Sequence, residues 1–449
     1  MSEKLQRPLA IDLFAGAGGM TLGFEQAGFD VAAAVEIDPI HCAVHEFNFP
    51  QTKVIPFSVA GLRAQMIRKF AGIGRRKIDC VFGGPPCQGF SLIGHRALED
   101  PRNNLVLEFV RLVAELDATS FVFENVKGLT VGRHKAFLEE LVRAFESAGY
   151  QVRLPWQVLD AAHFGVPQHR ERLILFGTKK GLPLPHYPGQ LTNAQSERKQ
   201  QRLPRLPLGP NCRDALNDLP NIDRFAGLLD SDMIKAKFGK PSAYAAELRC
   251  LSNSAWHFGY LRNWDASVLT SSARTSHSEI SRRRFSETKQ GDVEPISRFF
   301  KLSEGGVSNT LRAGTDGARG AFTSPRPIHY EHSRCITVRE MARLHGFPDW
   351  FRCHATKWHG ARQIGNAVPP PLARAVAQMV MLALGAIPSR PPNPLNLGNP
   401  ALLSLDMSSA AAHFDVAAPN GRRDKKSGAK KRKQHEIEAE RQLLQVVNG

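Results

Sequence analysis

Three short segments of the sequence carry residue types that are used in covalent and acid–base chemistry. Cys87 lies within the glycine- and proline-rich segment 83–91, Glu124 follows an apolar run, and Arg170 and Arg172 lie in the segment QHRER. A cysteine becomes a nucleophile only when it is ionised, which requires a nearby positive charge or base. A lone cysteine is more often a small buried hydrophobe, and a lone glutamate at a strand end is often a helix cap. The three segments together, in this order, predict a covalent active site.

A fourth segment, Phe14-Ala15-Gly16-Ala17-Gly18-Gly19, is typical of a loop that binds a nucleotide-like cofactor. Its glycines allow the backbone to approach a ligand at the start of a helix. A dinucleotide fingerprint would need a third glycine at position 21, where this chain has Thr21. Glu36 follows Gly18 by 18 residues, at the distance where an acid binds a ribose diol. An aromatic residue directly before the glycines favours an adenosyl ligand over a pyrophosphate.

Alternating strands and helices must position these segments. Apolar runs predict strands at 8–14, 31–37, 78–82, 120–124 and 173–176, and three- and four-residue spacing predicts helices at 21–27, 105–116 and 135–147. This alternation indicates an α/β fold with a mostly parallel sheet, in which ligands bind beyond the carboxyl ends of the strands. The candidate residues all follow predicted strands or precede one.

The second half of the chain has a different composition. Residues 178–330 are rich in Pro, Gly, Ser and Arg and predict a loop-rich second unit, and helical patterns return at 337–346 and 369–384. The formal net charge is +17, of which residues 178–330 carry +9 and residues 421–435 carry +7. Such a basic balance favours a polyanionic partner, although basic residues also keep proteins soluble. The composition of 386–449 predicts a flexible basic tail.

Several classes of protein are excluded by composition. The longest apolar stretch, 376–387, is too short for a membrane span, and Asp12 interrupts the apolar run near the N-terminus, which argues against a secretion signal. Seven cysteines without a CxxC pair argue against a disulfide framework and favour a reducing cytoplasm. No His/Cys group has the spacing of metal ligands, so we expect no metal.

The ordered motifs resemble those of the carbon-5 cytosine DNA methyltransferases. The resemblance covers residues 9 to 385 and rests on FAGAGG, GGPPCQGFS, DPRNNL, ENV, QHRER, TVRE followed by GFP, and QIGNAVP. It implies a Rossmann-like S-adenosylmethionine-dependent methyltransferase domain with a smaller, loop-rich target-recognition domain. The implied division is 7–179 for the first part of the catalytic domain, 180–350 for the recognition domain, 351–385 for the return to the catalytic domain and 386–449 for the tail.

The resemblance implies a role for each candidate residue of the reaction. Cys87 would add to carbon 6 of a cytosine flipped out of the duplex, which makes carbon 5 nucleophilic. Glu124, protonated at least transiently, would neutralise charge at ring nitrogen 3 and the exocyclic amine. Arg172 would bind the cytosine carbonyl oxygen, and Arg170 would help to position the substrate and add to the local positive field. Residues 87–104 would close over the flipped base.

The resemblance also implies a set of contacts to S-adenosylmethionine. Phe14 would stack on the adenine, Gly16 and Gly18 would allow close approach, and Glu36 would bind the ribose hydroxyls. The remaining family contacts correspond to Ile37, Pro86, Leu105 and Asn366. The chain departs from the family at Ser58, where the usual residue is an acid that binds the adenine amine. We expect Ser58 or a neighbouring carbonyl to replace it.

The implied partner is double-stranded DNA, read by the recognition domain, with Arg282–Arg284 and the 312–319 stretch as candidate contacts. The compact layout resembles that of bacterial modification enzymes, which implies a cytoplasmic monomer with a cognate restriction endonuclease as genetic partner. A solitary methyltransferase would have the same sequence features. Two alternatives remain open from the sequence: a tRNA cytosine methyltransferase of the same superfamily, which has a shorter recognition region, and a catalytically idle DNA-binding scaffold. Gln168 is predicted to order the loop or the flipped nucleotide, and His169 is assigned no chemical role.

Overall fold

The computed structural model describes residues 6–86, 104–132, 134–197, 199–314 and 326–417. Its strands are β1 (Leu9–Leu13), β2 (Asp30–Val35), β3 (Lys53–Ile55), β4 (Cys80–Gly83), β5 (Ser120–Val126), β6 (Tyr150–Val152), β7 (Gln157–Asp160), β8 (Glu171–Lys179), β9 (Ile234–Lys235), β10 (Arg262–Asn263), β11 (Val268–Leu269) and β12 (Leu395–Asn396). Its α-helices are α1 (Gly19–Ala27), α2 (Pro39–Asn48), α3 (Ala64–Phe70), α4 (Asn104–Glu115), α5 (His134–Ser147), α6 (Cys212–Leu216), α7 (Ala243–Leu248), α8 (Glu279–Glu287), α9 (Val338–Leu344), α10 (Lys357–Asn366), α11 (Pro370–Ala383) and α12 (Met407–His413). The strands and helices predicted from periodicity are all present, with ends shifted by a few residues.

The main sheet has the order β3-β2-β1-β4-β5-β8-β6, and β7 also pairs with β8. Strands β1 to β5 are parallel, whereas β8 runs antiparallel to β5, β6 and β7. The chain builds outward from β1 through β2 to β3 and then returns to place β4 on the other side of β1. The crevice beyond the carboxyl ends of β1 and β4 is therefore the topological switch point, where ligands bind in such sheets.

Helices cover both faces of this sheet, as the alternating pattern predicts. On one face, α4 and α5 pack on β5, with the rings of Phe121 and Phe145 stacked at 3.8 Å. On the other face, α1 and α11 pack together so closely that a Cβ on Gly23 would lie 2.4 Å from the Cβ of Ala373. The late helix α11 thus completes the layer begun by the first helix.

Residues 180–350 contain short helices and two-stranded pairings, as their weak periodicity predicts. A second hydrophobic core combines α6 and α9 of this region with α10 and with the buried side of α2. Its large side chains include Phe347, Trp350 and Phe351. Because α2 precedes β3, this second core is shared between the two parts of the chain. The division at residues 179 and 350 stays a prediction.

The expectation of a flexible tail from residue 386 is wrong for residues 386–417. Leu395–Asn396 pairs in parallel with Arg262–Asn263, and α12 packs on α2. Leu402 and Leu403 are buried in the second core. The Pro-, Ala- and Asn-rich composition did not predict this ordered structure. The structure depends on a few apolar side chains that pack against residues distant in the sequence. The basic residues 421–435 lie outside the described residues.

In the described ranges, no helix is both long enough and apolar enough to span a bilayer.

Candidate active site

Most of the described candidate residues lie at the carboxyl ends of β1, β2, β4 and β5, and at the start of β8 beside them. Leu105 lies on α4 and Asn366 on α10. The loop after β1 carries the glycines, the end of β2 carries Glu36, and the segment after β4 leads to Cys87. Parallel strands end at one edge of the sheet, so these segments meet there. Cys87 itself, like residues 88–103, lies outside the described residues.

Backbone hydrogen bonds and packing fix the glycine loop. The Ala15 amide donates to Val35 O, and Gly18 donates back to Ala15 O. Gly18 has a φ of +101° at the start of α1, and a Cβ there would lie 2.4 Å from the ring of Phe49. Around Gly16, with a φ of +55°, a Cβ would meet nothing within 4 Å, so the loop has open space above it and Phe49 below it. This arrangement leaves room for a ligand at the helix start.

A buried hydrogen bond explains why position 21 is threonine. The Thr21 hydroxyl donates to Asp12 Oδ2 at 2.6 Å, and both side chains are buried beneath the loop. Burial raises the pKa of Asp12 well above its ordinary value, against the effect of the Thr21 hydrogen bond. A glycine at position 21 would leave this carboxyl group without that donor. The departure from the dinucleotide pattern therefore has a structural role that the sequence analysis missed.

Glu36 is held in a fixed orientation at the end of β2. Its Oε2 accepts from the Gly16 amide at 2.8 Å, and its Oε1 accepts from the Asp38 amide at 2.9 Å. Each carboxylate oxygen keeps a further acceptor position, which is what two ribose hydroxyls require. The adjacent Ile37 side chain is 62% exposed. An exposed apolar side chain beside an oriented carboxylate fits an adenosyl group, as the resemblance implies.

The other candidate cofactor contacts surround this position. Phe14, which has a φ of +64°, and Leu105 of α4 are both half-buried and pack against the edge of the same core. Pro86 at the end of the β4 segment and Asn366 at the end of α10 are exposed. Their contacts to a cofactor stay predictions, but the chain brings apolar and amide groups to the rim of the loop.

Ser58, at the position of the missing acid, lies in the turn after β3. Its Oγ accepts from the Ala60 amide at 3.2 Å and its side chain is half-buried. The hydroxyl hydrogen remains able to donate, whereas an acid would only accept. The replacement therefore changes the hydrogen-bonding character of this edge of the site.

Glu124 and Arg172 form an ion pair from neighbouring strands. Glu124 on β5 is opposite Ile174 on β8, so Arg172 is its diagonal neighbour on the same face. Arg172 Nε lies 2.7 Å from Glu124 Oε1, and each side chain is 12% exposed. Burial raises the pKa of Glu124, and the charges of Arg172 and Arg170 oppose this shift without reversing it. The carboxyl group is therefore closer to protonation than an ordinary glutamate.

Gly84, in the segment that leads to Cys87, lies directly against Glu124. A Cβ at Gly84 would lie 2.3 Å from Glu124 Oε2, and the Asn125 amide donates to Pro85 O at 3.1 Å. A side chain at position 84 would therefore displace the carboxylate. The chain is thus anchored beside Glu124 two residues before Cys87.

Arg170 has different surroundings from those expected of a substrate contact. It is 1% exposed, and its terminal nitrogens donate to Leu311 O at 3.0 Å and to Gly365 O at 2.8 Å. Only its Nε has no hydrogen-bond partner among the described residues. Arg170 therefore joins the residues just before β8 to the segment before residue 315 and to α10, next to Asn366. Its charge opposes the raised pKa of Glu124, and its predicted part in substrate positioning stays a prediction.

The two residues before Arg170 behave as predicted. Gln168 is fully buried, accepts from the Leu311 amide and donates to Leu344 O, so it orders the loop. The His169 ring contacts Asp160 Oδ2 at 2.7 Å and Ser196 Oγ at 2.5 Å. The Asp160 hydrogen bond raises the pKa of His169. Both side chains serve loop packing rather than the cleft.

Metal ligands do not cluster anywhere in the described ranges, whether as His, Cys, Asp or Glu side chains. A separate cavity lies away from the candidate residues. It has a volume of about 680 Å³ and lies between α2, β3, α3 and the segment 398–413.

Comparisons with known proteins agree with this geometry. Residues 9–381 match the family described as C-5 cytosine-specific DNA methylase. The chain is 55% identical over 414 residues to Type II methyltransferase M.XorII of Xanthomonas oryzae pv. oryzae, covering 92% of this chain and 94% of that protein. It is 33% identical over 377 residues to Type II methyltransferase M1.HphI of Haemophilus parahaemolyticus, covering 83% and 86%. A crystal structure of a prophage-encoded E. coli protein, assigned as a DNA modification methyltransferase, aligns with a TM-score of 0.66 and 31% identity over 84% of this chain and 99% of that one.

Proposed function

Because this chain belongs to the C-5 cytosine-specific DNA methylase family, we propose that it transfers a methyl group from S-adenosylmethionine to carbon 5 of a flipped-out cytosine within a specific double-stranded DNA sequence. The observation that carries this proposal is the Glu124–Arg172 pair held against Gly84, three residues before Cys87. A decayed scaffold would be free to lose such a pair. Its retention supports an active enzyme.

The described residues suit the first half of the reaction. The Cys87 thiolate adds to carbon 6, and ring nitrogen 3 takes up a proton from Glu124, whose raised pKa favours the protonated form that can donate. Arg172 lies 2.7 Å from that carboxyl group, where it can also hold the cytosine carbonyl oxygen. Arg170 holds this strand in place from behind.

The second half of the reaction uses the glycine loop and Glu36. S-adenosylmethionine supplies an electrophilic methyl group to the activated carbon 5. Glu36 orients the ribose of this cosubstrate through the two acceptor positions that the Gly16 and Asp38 amides leave open. Methyl transfer leaves S-adenosylhomocysteine. The carbon-5 proton then passes to water, the proton on ring nitrogen 3 returns to Glu124, and the Cys87 thiolate leaves carbon 6, which restores the ring. The apolar Ile37 excludes water on the adenine side.

The biological setting follows from the relatives. The two relatives from Xanthomonas oryzae and Haemophilus parahaemolyticus are both named Type II methyltransferases. These names support a modification enzyme of a restriction–modification system with a cognate endonuclease as genetic partner. The net charge of +9 on residues 178–330 supports DNA recognition by this region. We propose that the enzyme acts as a monomer on chromosomal DNA in the bacterial cytoplasm.

Transfer of label from S-adenosylmethionine to nucleic acid tests the proposal. Duplex DNA should become labelled on cytosine at one sequence, tRNA should not, and DNA with 5-fluorocytosine at the target should trap the full-length protein covalently. Cys87→Ser should abolish transfer and trapping while it retains DNA binding. Label on tRNA alone, or turnover by Cys87→Ser, would refute the proposed substrate or nucleophile respectively.

A further inference from the structure

A buried ion pair joins helix α1, which follows the glycine loop, to residues in the middle of the chain. Arg262 on β10 donates to Glu25 through two nitrogens, at 3.1 and 2.7 Å, and the two side chains are 0% and 2% exposed. The Tyr260 amide and the Gln51 side chain also donate to Glu25. The carboxylate therefore has four hydrogen bonds, which a buried charge needs.

The Arg262 guanidinium also packs against aromatic rings. Its central carbon lies 4.7 Å from the ring centre of Trp350 and 5.8 Å from that of Phe49. The Phe49 ring is fully buried between this cation and the glycine loop. A planar cation suits this position because it stacks on aromatic faces while its edge donates to a carboxylate.

Phe49 connects this cluster to the candidate cofactor site. Its ring fills the space into which a Cβ on Gly18 would project, and the His45 ring, 4.8 Å away from it, approaches Gly16 O at 3.4 Å. Burial lowers the pKa of His45 to about 4, so this ring is neutral at physiological pH. His45 and Phe49 together form the floor of the loop.

We propose that Arg262, from the region predicted to recognise DNA, is a positioning residue for S-adenosylmethionine binding, because it is fixed to Glu25 of α1 and holds Phe49 beneath the glycine loop. The inference rests on the proposed function, since it assumes that the loop binds this cosubstrate. A loop whose floor shifts loses the close backbone approach that a ligand at a helix start requires. Arg262 acts through Phe49 and does not touch the ligand.

Binding of S-adenosylmethionine to the full-length protein, measured by calorimetry without DNA, tests this inference. Arg262→Met and Arg262→Lys should each raise the dissociation constant about tenfold, because the lysine keeps the charge but not the planar stack. The turnover number at saturating S-adenosylmethionine and the DNA sequence methylated should stay as in the wild type. Phe49→Leu should weaken binding in the same way while it leaves the Arg262–Glu25 pair intact.

Arg334→Met is the matched control, because Arg334 forms a similar buried two-bond pair with Glu340 and is not part of the floor. This variant should lose thermal stability but bind S-adenosylmethionine like the wild type. If Arg262→Lys and Phe49→Leu bind as tightly as the control, the inference is wrong, even when Arg262→Met fails to fold. A wild-type protein that does not bind S-adenosylmethionine would instead refute the proposed function.

Discussion

Glu124 with Arg172 at the site, and Glu340 with Arg334 in the middle of the chain, are both buried glutamate–arginine pairs, but their acid–base properties are opposite. Burial raises the pKa of Glu124. Burial would also raise the pKa of Glu340, but the charge and hydrogen bonds of Arg334 outweigh it and hold that pKa far below its ordinary value. Burial alone therefore does not decide the state of a carboxyl group.

The number of donors explains the difference. Glu340 accepts from two nitrogens of Arg334 at 2.8 Å and from the Thr337 amide at 2.6 Å, in the capping box of α9. Among the described residues, Glu124 has one such donor, Arg172, at 2.7 Å. A carboxylate with many donors is stabilised in its charged form, whereas one with few donors stays near protonation. The first arrangement serves stability, and the second suits proton donation.

Replacing Glu124 should have the largest effect. We expect Glu124→Gln to lower the single-turnover rate of methyl transfer by about 10³-fold, because the amide cannot supply the proton. DNA and S-adenosylmethionine should still bind, and the melting temperature should not fall. Glu340→Gln is the control, because it makes the same replacement in the other buried glutamate–arginine pair. A rate within about tenfold of the wild type would remove Glu124 from the proton transfer.

Replacing Glu340 should affect stability instead of chemistry. We expect Glu340→Gln to lower the free energy of unfolding by about 3 kcal/mol, because it removes the main counter-charge of buried Arg334. The other carboxylate near Arg334, Asp223, lies 3.7 Å from its Nε. The rate per folded molecule should be unchanged. Denaturant unfolding followed by fluorescence measures the loss, and a value below about 1 kcal/mol would mean that the pair resembles a surface ion pair.

The glycine that permits the Glu124 geometry offers a smaller test. Gly84→Ala would put a Cβ 2.3 Å from Glu124 Oε2, so the carboxyl group must move, and we expect the rate to fall about tenfold or more. Gly128→Ala is the control, since its Cβ would meet its nearest neighbour at an ordinary 3.9 Å. Equal rates for the two variants would show that the position of the carboxyl group is not critical.

Local sequence predicted the parts of this molecule that depend on local pattern. The strand–loop–helix alternation and the positions of Glu36 and Glu124 at strand ends follow from periodicity and motif order. The Glu25–Arg262 contact could not be predicted, because it joins residues 237 apart that no motif connects. The contacts of Arg170 could not be predicted for a related reason: its carbonyl partners, Leu311 and Gly365, are brought to it only by the fold.

The pH dependence of stability should distinguish the two glutamates by sign and by range. The pKa of Glu124 is raised from 4.5 in the folded state, so its stabilising protonated form is lost as pH rises from 4.5 through the folded-state value. Relative to the wild type, Glu124→Gln should therefore gain melting temperature toward neutral pH and show no gain at low pH.

The pKa of Glu340 is lowered from the same 4.5, so its contribution is complete above 4.5 and is lost as pH falls below it. The deficit of Glu340→Gln should stay constant from about pH 7.5 to about pH 5 and shrink only in more acidic buffer. Calorimetric melting of both variants and the wild type across this range measures the two differences, and curves of the same sign would contradict the opposite roles assigned to the two pairs.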